Sequence, residues 1–227
     1  MSSNVYSVAI DGPAGAGKST IARQAAERLG FVYVDTGAIY RTLAYAIDRE
    51  MVDITDAEAL SSLLEKVSVE PVWKADGVQH MILNGEDVSD QIRKPHISQL
   101  TSKISALPLV RDFLLETQRQ IACKHSVIMD GRDIGTVVLP DADVKIFLSA
   151  SAEVRAKRRY LELQQKGLEQ AYEEVLSEMI SRDYRDSHRA VAPLIPASDS
   201  VELDTSALNL EESIESVISI IRKKIGK

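Results

Sequence analysis

The sequence predicts an α/β protein built on a parallel sheet of about five strands with helices on both faces. Short apolar segments rich in β-branched residues alternate along the chain with longer amphipathic segments. That alternation is typical of parallel sheets, because a helix usually connects one parallel strand to the next. A glycine-rich loop between the first strand and the first helix is the second observation, and it indicates the P-loop nucleotide-binding fold.

The glycine-rich loop covers residues 12–20, Gly-Pro-Ala-Gly-Ala-Gly-Lys-Ser-Thr, and matches the P-loop motif. Residues 5–10 before it predict a buried strand, and residues 20–29 after it predict a helix ended by Gly30. Glycines let several backbone N–H groups point at one anion, and the helix N-terminus adds partial positive charge. The residues predicted to hold the triphosphate are Gly12, Pro13, Ala14, Gly15, Ala16, Gly17, Lys18, Ser19 and Thr20.

The same loop predicts a Mg²⁺ site. Lys18 is expected to reach the β- and γ-phosphates, and the Ser19 hydroxyl to bind the metal. Residues 126–130 predict a later strand that ends in Asp130, where P-loop proteins carry a metal-binding carboxylate. Ser19 and Asp130 are therefore the predicted metal ligands, with Asp130 acting directly or through water.

A second predicted strand, residues 31–35, leads into a helix over residues 36–50 that carries Arg41. Ligands of parallel sheets bind at the carboxyl ends of the strands, so Arg41 is expected within reach of an anion there. Residues 55–58, Thr-Asp-Ala-Glu, predict a capping box that opens a helix to about Lys66.

Residues 67–94 predict an insert of different architecture, which either covers an acceptor site or only stabilises the fold. Its apolar segments are separated by turns at residues 75–77 and 84–85, which predicts a short antiparallel meander. The predicted core then consists of residues 1–66 and 95–227.

The rest of the chain continues the alternation of strands and helices. It predicts helices over residues 96–105, 109–124, 151–165 and 171–186, strands over residues 144–148 and 201–204, and a final helix capped by Asn209. The region from about 151 to 190 is rich in arginine and is expected to form a helical lid over the transferred phosphate. A solvated charged face is the alternative.

Composition excludes several classes of protein. The formal net charge of -7 argues against a general nucleic-acid or membrane binder, which would carry a basic excess. No apolar run approaches a membrane span, and no signal-peptide pattern precedes the first strand. Cys123, the only cysteine, lies in a predicted helix and is expected to be buried and inert. We therefore expect a monomeric cytoplasmic protein with small-molecule substrates and no nucleic-acid or membrane partner.

Four arginines are expected to converge on one cleft: Arg41, Arg132, Arg182 and Arg189. Helical spacing also places Arg185 on one face with the last two. Hydrolysis needs only a water molecule, whereas transfer between two anions needs positive charge, because donor and acceptor repel each other. The residues therefore favour a small-molecule kinase whose acceptor is a phosphate or a carboxylate.

Four segments together resemble the bacterial cytidylate kinase family. They are the P-loop, Asp35-Thr-Gly-Ala-Ile-Tyr-Arg41, Asp130-Gly-Arg-Asp-Ile-Gly-Thr136 and Arg182-Asp-Tyr-Arg-Asp-Ser-His-Arg-Ala-Val-Ala-Pro193. The resemblance spans nearly the whole chain, including the insert. It implies transfer of the γ-phosphoryl group of ATP to CMP or dCMP with Mg²⁺ in pyrimidine nucleotide metabolism, by a protein with a core, an acceptor-binding insert and a lid.

The resemblance also implies a role for each matching side chain. The phosphate clamp would be Arg41, Arg132 and Arg189; the cytosine-reading set Ser102, Arg111 and Asp133; and the sugar-binding set Asp186 and Arg182, with Thr36 in the same CMP site. The residues implied in catalysis are Lys18, Asp130, Arg132 and Arg189. Cytosine suits this assignment, because its amino group can donate to a carboxylate while arginine and serine donate to its acceptor atoms. Arg155 and Arg159 are weaker lid candidates.

Two alternatives remain open at the level of sequence. One is another small P-loop kinase that acts on UMP, AMP or a carboxylate such as shikimate. The other is a nucleotide-dependent switch or binding module, for which slow hydrolysis insensitive to CMP would be the sign. The chain lacks the Asn-Lys-x-Asp signature expected of a GTPase.

Overall fold

The secondary structure comes from a computed structural model that describes residues 5–75, 77–165 and 167–226. The strands are β1 (Ser7–Asp11), β2 (Val32–Asp35), β3 (Val69–Trp73), β4 (Gln79–Leu83), β5 (Glu86–Asp87), β6 (Val127–Gly131), β7 (Val144–Ser149) and β8 (Val201–Asp204). The α-helices are α1 (Lys18–Leu29), α2 (Thr36–Arg49), α3 (Ala57–Leu64), α4 (Pro95–Ile104), α5 (Pro108–Lys124), α6 (Ala152–Gln165), α7 (Tyr172–His188) and α8 (Leu210–Ile225). A 3-10 turn covers Gln91–Arg93, and a π-helical turn covers Ile134–Val138.

The main sheet has five strands in the order β2-β6-β1-β7-β8. Strand β1 lies at its centre and pairs in parallel with β6 on one side and β7 on the other. Strand β8 continues the sheet in parallel from β7. The register sets Asp11 opposite Gly131, so the loops that follow β1 and β6 start side by side. The predicted five-stranded parallel sheet is confirmed.

The central strands share one apolar core with α1 and α8. Helix α8 buries Ile214, Val217, Ile218 and Ile221 in that core, at the spacing of one helical face. Asn209 and Glu212 form the capping box of α8, in which each side chain bonds the backbone N–H of the other residue. The predicted cap at Asn209 is confirmed.

The insert contains the predicted antiparallel meander, in the strand order β3-β4-β5. Asn84 and Gly85 join β4 to β5 with positive φ angles of 49° and 84°. That conformation suits a two-residue hairpin, because its twist matches that of the flanking strands. The other predicted turn, at residues 75–77, includes Asp76, which lies outside the described residues.

The chain divides into two compact units. One unit contains the chain up to Tyr33 together with residues from His125 onward, and the other contains Val34–Lys124. The first unit holds the P-loop, α6, α7 and α8, and the second holds the meander and helices α2 to α5.

Two helix starts differ from the prediction. Asp56, not Thr55, caps α3, since its carboxylate accepts the backbone N–H groups of both Glu58 and Ala59. One oxygen, Oδ1, accepts both bonds, and aspartate is among the residues preferred at this position. Helix α4 begins at Pro95, one residue before the predicted start, and the missing N–H of this proline would have had no helical partner there.

The expectation that Cys123 is buried is wrong. Cys123 lies near the end of α5 and is exposed, because the apolar face of that helix runs through other positions.

Among the described residues, no helix has the length and apolar character needed to cross a membrane.

Candidate active site

The P-loop joins β1 to α1 through backbone conformations that favour glycine. Gly12 has a φ of 147°, and a Cβ atom there would lie 1.9 Å from the carbonyl oxygen of Leu148. Gly17 has a φ of 87° and directly precedes α1. Because the helix begins at Lys18, its first N–H groups have no helical partners and are available to an anion. This arrangement can hold a phosphate.

Lys18 is buried, and its ammonium group donates to the carbonyl oxygen of Pro13 over 2.7 Å. Burial lowers the pKa of Lys18 well below its usual range, and the nearby positive charge of Arg132 lowers it further. The carboxylates of Asp130 and Asp11 act in the opposite direction. Two cations this close repel each other, so an anion between them would be stabilised by both.

Asp130 accepts a hydroxyl hydrogen bond on each of its oxygens. Ser19 donates to Oδ2 over 2.8 Å, and the phenol of Tyr33 donates to Oδ1 over 2.9 Å. The two predicted metal ligands, Ser19 and Asp130, are thus in direct contact. Such a pair suits Mg²⁺, which takes few protein oxygens and fills its shell with phosphate oxygens and water. Within residues 5–75, 77–165 and 167–226, no group of three or more His, Cys, Asp or Glu could hold a metal ion.

Asp11, the residue before Gly12, is a buried carboxylate that the sequence did not single out. Its Oδ1 accepts the backbone N–H of Ile134 over 2.8 Å, and its Oδ2 accepts that of Gly135 over 2.7 Å. Burial raises the pKa of Asp11 to about 6, and the two backbone hydrogen bonds oppose that rise. Asp11 therefore ties the start of the P-loop to the turn that carries Arg132 and Asp133.

Arg132 and Asp186 form an ion pair between that turn and helix α7. The Nε of Arg132 donates to Oδ2 of Asp186 over 3.0 Å, and its Nη1 donates to the carbonyl oxygen of Gly131 over 3.1 Å. Nε of Arg182 lies 3.8 Å from the same oxygen of Asp186. Asp186 is buried, so its charge is answered by two guanidinium groups rather than by water.

Asp133 pairs with Arg189, and both side chains are 9% exposed. Nη2 of Arg189 lies 3.3 Å from Oδ1 of Asp133. The Nε of Arg189 donates to the carbonyl oxygen of Ala192. A predicted base-reading carboxylate and a predicted phosphate-binding arginine are therefore neighbours in the P-loop unit.

Arg155 connects the P-loop to both helices of the predicted lid. It is buried on α6, and its guanidinium donates to the carbonyl oxygens of Ala150 and Ala14 over 2.7 and 3.0 Å. Two further bonds, of 3.1 and 2.6 Å, reach the carboxylate of Asp183 on α7. Arg159, the other lid candidate, is exposed and pairs with Glu162.

In the second unit, Arg41 is held at the start of α2. Its Nη2 donates to Oδ2 of Asp35 over 2.8 Å, while Oδ1 of Asp35 accepts the backbone N–H of Ala38 as the cap of the helix. Thr36, the first residue of α2, is buried. One carboxylate therefore starts the helix and directs the arginine.

Ser102 and Arg111 lie on either side of the turn between α4 and α5. Arg111 is buried, and its Nη1 donates to the carbonyl oxygen of Ser105 over 3.2 Å. The Ser105 hydroxyl donates to the carbonyl oxygen of Ser102 over 3.1 Å. The turn between the two helices therefore links their predicted cytosine-reading residues through the backbone.

The structure brings one group of predicted residues together within the P-loop unit: Lys18, Ser19, Asp130, Arg132, Asp133, Arg182, Asp186 and Arg189. The second unit contains Thr36, Arg41, Ser102 and Arg111.

The expectation that Arg182, Arg185 and Arg189 share one helical face is wrong. Helix α7 ends at His188, and Arg189 has an extended backbone, so its side chain reaches Asp133 from outside the helix. Arg185 is exposed and donates to the backbone of its own helix.

Sequence reasoning missed four residues that orient the predicted ones: Asp11, Tyr33, Asp35 and Asp183. Only Asp11 and Asp35 left a usable signal, because each is a charged residue at the end of an apolar strand. The partners of Tyr33 and Asp183 are distant in sequence, and no local pattern reveals them.

Comparison with known proteins relates this chain to the cytidylate kinase family. The family model described as cytidylate kinase matches residues 8–223. A cytidylate kinase of Lactobacillus gasseri is 49% identical over 217 residues, covering 96% of this chain and 94% of the relative. The cytidylate kinase of Carboxydothermus hydrogenoformans is 48% identical, with 96% and 97% covered, and one from Bacillus cereus is 46% identical, with 97% and 98% covered. Among solved structures, an uncharacterized protein from Eubacterium ventriosum has a TM-score of 0.51 at 13% identity, covering 97% of this chain and 99% of that one, which is a likeness of fold alone.

Proposed function

This chain belongs to the cytidylate kinase family, and on that premise we propose how its side chains carry out the reaction. It is a (d)CMP kinase, which transfers the γ-phosphoryl group of ATP to CMP or dCMP and releases ADP with CDP or dCDP. The acceptor is an anion, so the protein has to hold two mutually repelling molecules in line.

The observation that carries the proposed site is the buried Lys18 ammonium group, 2.7 Å from the P-loop carbonyl oxygen of Pro13, in a loop that Asp11 ties to the turn carrying Arg132. Arg132 lies near enough to lower the pKa of the buried Lys18. In the free protein this repulsion is unfavourable, and the negative charge of a phosphoryl group between the two would reverse it. We propose that Lys18 contacts the donor side of the transferred group and that Arg132 contacts the acceptor side.

We propose that the P-loop backbone, from Gly12 to Thr20, holds the ATP phosphates. Ser19 and Asp130 would hold Mg²⁺, and their 2.8 Å contact supports that pairing. Mg²⁺ held by these two side chains would neutralise part of the charge of the ATP phosphates. Tyr33 keeps the carboxylate of Asp130 oriented from its other oxygen.

The proposed acceptor site follows the family motifs. Arg132 and Arg189 would bind the acceptor phosphate together with Arg41. Asp133 would accept the cytosine amino group, and its pair with Arg189 would join base recognition to phosphate recognition. The remaining roles are cytosine reading by Ser102 and Arg111, sugar binding by Asp186 and Arg182, and a further contact from Thr36.

Chemistry in this site needs no strong general base. An acceptor phosphate oxygen is already anionic near neutral pH, so positioning and charge neutralisation supply most of the rate. We propose that the insert at residues 67–94 serves the acceptor side and that residues 1–66 and 95–227 form the core. Within that core, the region from about 151 to 190 would act as a lid. We further propose a monomeric cytoplasmic enzyme, with small nucleotides and neither nucleic acid nor membrane as partners.

An acceptor panel tests the proposal. The purified protein is incubated with ATP and Mg²⁺ plus CMP, dCMP, UMP, AMP or shikimate, and ADP release is followed with a coupled assay. CMP and dCMP are expected to be the best acceptors, with little ADP formed when no acceptor is present. Preference for another acceptor would reject the base assignment, and slow hydrolysis unaffected by any acceptor would favour a nucleotide switch.

A further inference from the structure

Gln79 on strand β4 bonds both backbone groups of Asp35. Its Oε1 accepts the N–H of Asp35 over 2.8 Å, and its Nε2 donates to the carbonyl oxygen of Asp35 over 3.2 Å. The same Nε2 lies 3.2 Å from the sulfur of Met81, which gives its second hydrogen a partner. A side-chain amide carries a donor and an acceptor side by side, so glutamine can bond both backbone groups of one residue at once.

Asp35 turns this backbone contact into control of a side chain. One carboxylate oxygen caps α2 at Ala38, and the other pairs with Arg41 over 2.8 Å. A shift of the Asp35 backbone would therefore move the start of the helix and the guanidinium together. Gln79 holds that backbone at the residue that caps the helix.

Gly37 shows how closely Arg41 is fitted. A Cβ atom at Gly37 would lie 2.9 Å from Nη1 of Arg41 and 3.1 Å from Oδ1 of Asp35. The guanidinium therefore lies directly against the first turn of α2. An arginine fitted this tightly to the backbone keeps its direction only while that backbone stays in place.

We infer that Gln79 is a positioning residue for the acceptor phosphate, through which the three-stranded insert sets the direction of Arg41. The inference rests on the proposed function, because it takes Arg41 to bind that phosphate. It gives the insert a defined part in acceptor recognition. Fixing an arginine before its ligand arrives reduces the entropy lost on binding. We therefore expect the loss of Gln79 to weaken the binding of CMP.

The test compares Gln79→Leu and Gln79→Glu with wild type. Leucine removes both bonds at similar volume, and glutamate keeps an acceptor for the Asp35 N–H but cannot donate to its carbonyl oxygen. We expect Gln79→Leu to raise the KM for CMP by about 10-fold, while the KM for ATP changes by less than about 2-fold. Gln79→Glu should fall in between. Gln120→Leu is the matched control, because this exposed glutamine on α5 contacts only its helix neighbour Glu116 among the contacts described.

A double-mutant cycle with Arg41→Ala separates positioning from general stabilisation. If Gln79 acts through Arg41, Gln79→Leu should raise the KM for CMP by less than about 2-fold once Arg41 is absent. Additive effects in the cycle would overturn the inference, as would a lower melting temperature with no change in the KM for CMP. If wild type phosphorylates CMP and the Arg41→Ala variant has the same KM for CMP, the proposed role of Arg41 is rejected instead.

Discussion

The carboxylate of Asp11 accepts the backbone N–H of Gly135 over 2.7 Å and so joins the residue before the P-loop to the turn after Asp133. The neighbouring N–H of Ile134 binds the other oxygen of the same carboxylate. One buried carboxyl group thereby holds the P-loop to the turn that carries Arg132 and Asp133. A protonated carboxyl group would keep only part of this bonding, because one oxygen would then carry a hydrogen.

Asp11 should give stability a defined pH dependence. Its pKa in the folded protein, about 6, lies above the ordinary value of 3.8, so the folded state holds an extra proton between those values. The favourable contribution of Asp11 to the free energy of unfolding is complete below about pH 4. It is lost as the pH rises through about 6, a change of roughly 3 kcal/mol. Urea unfolding of wild type and Asp11→Asn from pH 4 to 7 measures it, since asparagine cannot ionise. The free energy of unfolding of wild type should fall relative to the variant across this range. A pH-independent difference would contradict the prediction.

Removal of the Lys18 ammonium should stop phosphoryl transfer. This buried group is surrounded by the P-loop carbonyl oxygen of Pro13 and the charges of Arg132 and Asp130. We expect Lys18→Ala to lower kcat by at least about 10³-fold, because a charge aimed at the transferred group is lost. Circular dichroism should show an intact fold. Lys223→Ala, an exposed change on α8, is the control, and a Lys18→Ala enzyme with most of its turnover would contradict the donor-site assignment.

Substitution of Asp133 should change the choice between cytosine and uracil. In the proposed site, cytosine would present an amino donor to this carboxylate, whereas uracil would present a carbonyl oxygen that the carboxylate repels. Asp133→Asn adds a donor, so we expect the ratio of kcat/KM for CMP over UMP to fall by at least about 10-fold. Parallel assays with both nucleotides measure this ratio. Asp141→Asn, at an exposed position, controls for the charge change, and an unaltered ratio in Asp133→Asn would defeat the base assignment.

Loss of the Arg189 side chain should weaken the binding of the acceptor CMP and leave the binding of the donor ATP unchanged. Its guanidinium pairs with Asp133 and donates to the backbone at Ala192. We expect Arg189→Ala to raise the KM for CMP by about 10- to 100-fold and to change the KM for ATP by less than about 2-fold. Steady-state titration of each substrate measures both values. Arg185→Ala is the matched control on the exposed side of α7, and an unaffected CMP titration would make Arg189 purely structural.

The candidate site could be predicted from sequence where its parts are local. The P-loop is one continuous segment between a strand and a helix, and Asp130 ends an apolar strand. The parallel pairing of β1 with β6, which the structure shows, accompanies the contact of Asp130 with Ser19. The arginine face on α7 failed, because helical spacing assumes a helix that in fact stops at His188. A helix end depends on what the following residues contact, and periodicity carries no information about that.

Four features can be read from the chain without coordinates. They are the alternation of strands and helices, the phosphate loop, the hairpin insert and the set of charged side chains available for phosphoryl transfer. All of these follow from residue type and spacing over a few consecutive positions. Which charged groups meet depends on how the fold packs. Asp11 with Gly135, Tyr33 with Asp130, and Gln79 with Asp35 are contacts between residues distant in sequence. Such contacts form because buried polar groups need partners, and the packing of the fold selects the partner that is within reach.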